Sequence, residues 1–69
     1  MPLSMVKPGE AATIRKIGGK ETARRFLESL GFVSGGSVTV VSHMGGNIIV
    51  TIRYSRVAIG SDMASKIIV

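Results

Sequence analysis

The chain has 69 residues, with nine Lys and Arg against four Asp and Glu, and no cysteine. That length makes one domain, spanning 1–69, and the missing cysteines exclude disulfides and thiolate metal sites. A core in a chain below roughly 70–80 residues rarely supplies more than about 3–5 kcal/mol, so the domain stands on packing alone or is supported by homo-oligomer formation. The net charge of +5 suits an anionic partner, whether nucleic acid, membrane surface or acidic protein; it also serves to keep a small apolar protein in solution. No stretch approaches the ~20 apolar residues of a membrane helix. Met1-Pro2-Leu3-Ser4-Met5 lacks the basic region that opens a secretory leader. The expectation is a soluble chain that is not exported.

In chain order, Leu3 to Glu10 is an entry segment, and Pro8-Gly9 marks a turn. Ala11 to Ile17 reads as a strand with β-branched Thr13, Ile14 and Ile17. Ile14 and Ile17 have opposite parity, which a bulge or an early strand end would reconcile. Gly18-Gly19 ends it. Ala23, Phe26, Leu27 and Leu30 then recur at the spacing of one apolar helix face. Glu21 precedes Arg25 by four, the favourable order for a helical ion pair. Gly19 and Thr22 are the candidate N-caps. Gly31 supplies a left-handed ending, after which Phe32 folds back onto Leu27 in a Schellman motif.

The second half is strands. Ser34-Gly35-Gly36 is a turn. Ser37 to His43 sets Val38 and Val40 on one face, Thr39 and Val41 on the other. Met44 to Asn47 forms a tight Gly-Gly hairpin. Asn47 to Tyr54 alternates, with Ile48, Val50 and Ile52 on one side and Ile49, Thr51 and Arg53 on the other. A connection near Ser55 leads to Val57-Ala58-Ile59. Gly60 to Asp62 turn, with one helical turn through Met63 and Ala64, and Lys66 to Val69 is the last strand. About five short strands with one small helix between the first and second must hide a single apolar face. Curling the sheet on itself does so. The fold expected is mainly β, a small, partly open SH3-like β-barrel; an open sheet with the helix on one face is the alternative.

Catalytic chemistry has little material. The carboxylates are Glu10, Glu21, Glu28 and Asp62, and His43 is the single histidine. Glu21 and Glu28 share a helix with arginines, where solvated ion pairs explain them. No nucleophile-elbow motif surrounds a serine. No enzyme activity, cofactor or intrinsic metal site is expected. His43 beside Met44 suggests soft-metal chemistry, but adjacent strand residues face opposite ways, and an exposed turn residue is the better reading. Lys20 follows Gly19, yet Glu21 stands where a phosphate loop needs a hydroxyl. The basic residues Arg15, Lys16, Lys20, Arg24, Arg25, Arg53 and Arg56 are scattered. Only Tyr54 among the aromatics lies between them, whereas single-strand binding wants several such interleaved rings.

The ordered set of Leu3-Ser4, Pro8-Gly9-Glu10, Ala12, Ile14, Ile17-Gly18-Gly19, Arg24-Arg25-Phe26-Leu27-Glu28-Ser29-Leu30-Gly31-Phe32, Val38-Thr39-Val40, Val57-Ala58-Ile59, Ala64 and Ile67-Val69 resembles the FeoA family, small cytoplasmic proteins of the bacterial Feo ferrous-iron uptake system. The resemblance covers nearly the whole chain. It departs at Met44 to Asn47, where relatives often carry a proline, and at Gly60, where they often carry a basic residue. It implies an SH3-like barrel and an accessory role at the cytoplasmic side of the permease FeoB, a G-protein-like transporter. Location would be cytoplasmic, peripheral to the inner membrane through that partner. Arg24, Arg25, Arg53, Tyr54 and Arg56 are the candidate partner-binding residues. An open strand edge and exposed Ile or Met side chains would add to the contact. The alternative is a small basic barrel that binds nucleic acid, or an iron-dependent regulatory module.

Overall fold

A computed structural model describes residues Met1–Val69. After a 3-10 turn at Leu3–Met5 come β1 (Ala11–Thr13), β2 (Lys16–Ile17), α1 (Glu21–Ser29), β3 (Ser37–Met44), β4 (Asn47–Ile52), β5 (Ser55–Gly60), the single turn α2 (Ser61–Ala64) and β6 (Ile67–Ile68). The strands form a four-stranded antiparallel sheet in the order β1-β3-β4-β5 and a two-stranded ladder of β2 with β6. The mainly β fold expected from the sequence is therefore present, with six strands because the first divides.

The division explains the parity conflict at Ile14 and Ile17. The strand ends early at Thr13, and the chain crosses from one sheet to the other. Ile14 points into the core, only 1% exposed. Its backbone bonds both ways to the Gly35-Gly36 turn, at 2.8 and 2.7 Å, and the Arg15 N–H then donates to the Ile68 carbonyl at 2.7 Å. Two short ladders thus share one corner, and this corner is where the barrel is joined. The N-terminal segment lies along β6, with a bridge from Pro2 to Ile68.

The core is one cluster of 13 apolar residues. Val38, Val40, Ile48, Val50, Ile52 and Ile59 come from the inner face of the large sheet, as alternation predicts. Leu3, Ile14, Ile67 and Ala64 close it from the other side, and Leu27 and Phe32 bring in the helix.

The helix ending is the predicted one. The Phe32 N–H reaches the Leu27 carbonyl at 3.1 Å and the Gly31 N–H reaches Glu28 at 3.0 Å, the two bonds of a Schellman motif. Gly31 has φ +107, and a Cβ there would meet Ile52 at 3.7 Å. Gly31→Ala is expected to cost about 1–2 kcal/mol, because a side chain is forced into positive φ; a lowered urea midpoint at unchanged slope would show it.

Four expectations need correction. The N-cap is Lys20, with no side-chain cap bond, not Gly19 or Thr22. Phe26 is not on the buried face: it is 51% exposed, and Leu27 is the only helix residue fully buried. A nine-residue helix lying on a small barrel touches it along a narrow seam, and the wider apolar face is left partly bare. His43 is exposed, as expected, but it lies inside β3 and not in the turn, because the strand runs one residue further, to Met44. Finally, Arg53 and Tyr54 are not the end of a strand; they are a two-residue turn between Ile52 and Ser55, and β5 begins directly after it.

Candidate functional site

The five candidate residues fall into two groups. Arg24 and Arg25 lie on α1 and share one carboxylate: Glu21 accepts from Arg24 at 2.6 Å and from Arg25 at 3.1 Å. These pairs are exposed, so each stabilises the helix only marginally, but they partly neutralise that patch. Arg53, Tyr54 and Arg56 are brought together on the β4–β5 hairpin, with no carboxylate within ion-pair distance of either arginine. The sequence supplies the reason: from Ser29 to Ser61 there is no Asp or Glu. The hairpin tip stands beside the C-terminal end of α1, where the Arg53 stem reaches the position a Gly31 Cβ would contact, at 4.0 Å. This places a cation near the negative end of the helix dipole.

The tip is an unusual place for these residues. Two-residue hairpins favour glycine or asparagine where φ must be positive. Here Arg53 takes φ +56, the only non-glycine residue to do so. Left-handed backbone costs an L-residue roughly 1–2 kcal/mol. Tyr54 beside it is fully exposed, and Arg53 and Arg56 are exposed too. Strain is thus kept at a solvent-facing turn, where it presents one aromatic ring between two cations.

His43 has a different position. β3 carries a bulge: Val40 pairs with Val50 and Ser42 with Ile49, so Val41 has no partner of its own. The extra residue reverses the faces beyond it and turns His43 to the inner side, opposite Ile48. Nε2–H donates to the Val6 carbonyl at 3.1 Å. The histidine ties the entry segment to the sheet. No three of the His, Asp and Glu side chains gather within reach of one metal ion.

A shallow, open depression of about 270 Å³ lies between Met1, Val6, Glu10, Ala11, Ala12 and Val69. It borders β1, at the edge of the large sheet opposite the hairpin edge. Glu10 is its only titratable side chain, so it offers an apolar surface without a reacting pair. No helix is long and apolar enough to cross a membrane.

Sequence reasoning singled out the hairpin arginines by charge, but it missed their contrast with Arg24 and Arg25. The acid-free run from Ser29 to Ser61 was the available signal.

The FeoA domain family model matches residues 1–69. A Methanocaldococcus jannaschii protein given the name Fe(2+) transport protein A is 34% identical over 68 residues, which cover 99% of this chain and 83% of that one. The crystal structure of an iron uptake regulatory protein, FeoA, superposes with a TM-score of 0.88 at 35% identity, over 96% of this chain and 88% of that chain. The Stenotrophomonas maltophilia FeoA, solved in complex with zinc and described as an SH3 domain protein, gives a TM-score of 0.88 at 24% identity, over 99% and 87% of the two chains. At that identity the likeness carries the fold, and it agrees with the SH3-like barrel read from the strands.

Proposed function

This chain belongs to the FeoA family, and from that premise we propose that it is a non-enzymatic accessory of ferrous-iron uptake that docks on the cytoplasmic part of a FeoB-type permease. The observation that carries the docking element is the β4–β5 hairpin: Arg53, Tyr54 and Arg56 project, exposed, from a sheet without a single carboxylate, at a turn where a non-glycine residue takes positive φ. Residues that are exposed, strained and unpaired point to recognition more than to stability. The protein is cytoplasmic in this reading and reaches the membrane only through its partner. It acts by binding and contributes no bond-breaking chemistry.

Nucleic acid is the less supported partner. Arg24 and Arg25 are engaged by Glu21, and one exposed tyrosine is a poor stacking platform. Affinity purification of a tagged chain from cells grown anaerobically under iron limitation tests the proposal. The permease is the expected partner, in amounts that fall as salt rises. Recovery of the chain without permease, or with oligonucleotide in its place, contradicts it.

A further inference from the structure

The barrel is closed on one side and open on the other. β1 is continued into the second ladder by the Ile14 and Arg15 bonds, whereas β5 is the last strand of its sheet. Which backbone groups β5 leaves free follows from the register. In an antiparallel ladder each residue turns its N–H and C=O to one neighbour only, and the side alternates. Ile52 and Ser55 close a two-residue hairpin and so bond to each other; Val57 with Val50 and Ile59 with Ile48 follow. The phase agrees with β3, where Val40, opposite Val50, turns both its groups away to Gly9 and Glu10. The N–H and C=O of Arg56 and Ala58 therefore face outward. Neither residue takes part in any hydrogen bond outside the ladder, from backbone or side chain. Both are exposed.

The two faces of this edge differ. On the inner face Val57 packs against the core but is only partly buried, so one apolar neighbour would complete it. On the outer face are Arg56 and small Ala58, with the Arg53–Tyr54 turn at the end of the strand. We infer that β5 receives an extended segment of the partner protein as an added strand, one with an apolar residue against Val57 and carboxylates against Arg56 and Arg53. Main-chain bonding provides the affinity and the alternate side chains the selectivity. An acidic segment is the complementary one, because this sheet carries only positive charge. Exposed edges of this kind are ordinarily blunted by proline, by a covering loop, by a bulge or by charged side chains; of these β5 has only Arg56, whose positive charge deters a basic strand and favours an acidic one.

The inference rests on the permease as partner, and the test separates the two. The full 69-residue chain is titrated with full-length permease in lipid nanodiscs. Hydrogen exchange is followed at the Arg56 and Ala58 amides, and affinity is measured for wild type, Ala58→Pro and Ala58→Ser. Proline at 58 removes a donor that the fold does not use, so the free variant should keep a cooperative unfolding transition. The expected result is slower exchange at both amides on binding, with affinity about tenfold weaker for Ala58→Pro and nearly unchanged for Ala58→Ser. If the wild type binds but Ala58→Pro binds equally well, or both amides exchange at their free rate, the added strand is wrong and the permease reading stands. If the wild type does not bind, the permease reading fails and the added strand falls with it. Protection produced by raising the chain's own concentration assigns the edge to a second copy and overturns the proposal. Protection by nanodiscs without permease assigns it to lipid and does the same.

Discussion

Replacing Phe32 by alanine is expected to leave the chain mostly unfolded in water at 25 °C. Phe32 is fully buried and is the only aromatic side chain in the core. It also joins two levels of the structure. Its N–H closes the end of α1 on Leu27, and its ring stands in the cluster formed by the inner face of the large sheet. Truncating a buried phenylalanine costs about 3–5 kcal/mol, which is the whole of what a core of this size commonly supplies. Far-UV circular dichroism with a urea titration checks it. Loss of the cooperative transition is expected; a transition whose midpoint is nearly that of the wild type would show that the ring is not central to the core.

The second large effect is on binding. The double variant Arg53→Glu/Arg56→Glu is expected to weaken association with the permease by roughly 10- to 100-fold, because two favourable charges become two repulsive ones at the contact. Stability should fall by no more than about 1 kcal/mol, since both residues are exposed and outside any ion pair and the main cost is an anion in place of the Arg53 cation beside the end of α1. Ferrous-iron uptake in cells carrying the variant should fall with the affinity. Arg24→Ala and Arg25→Ala should do less, because Glu21 already holds both side chains. If the hairpin variant binds like the wild type while the helix variants do not, the docking surface lies on α1, near the exposed Phe26.

Much of the fold was legible in the sequence. The Leu27-Leu30-Gly31-Phe32 segment announced its own ending, because only glycine is at ease with the backbone required there. The alternation of Ile48, Val50 and Ile52 announced a strand with one buried face, and Gly45-Gly46 announced the hairpin before it. What stayed hidden depended on partners distant in sequence. Nothing local states that the chain changes sheets at Ile14, since the Gly35-Gly36 turn and Ile68 supply the bonds that hold it there. Nothing local states that Val41 is the extra residue of a bulge, and the orientation of His43 follows from it. The turn expected near Ser55 lies just before it, at Arg53–Tyr54, because no glycine, asparagine or proline marks its place. Its strain is visible only once φ is known, and that strain marks it as a candidate site. The outward backbone groups of Arg56 and Ala58 were equally hidden. The sequence suggested that some strand edge is open, but which one depends on the sheet order.

The central claim, that the chain docks on an iron permease through a basic hairpin edge, is tested most directly by equilibrium titration. Fluorescently labelled chain is added to permease nanodiscs and to empty nanodiscs of the same lipid, with and without guanine nucleotide. Saturable binding that requires the permease and weakens as salt is raised is the predicted result. Equal signal from the two kinds of nanodisc in every nucleotide state would contradict it.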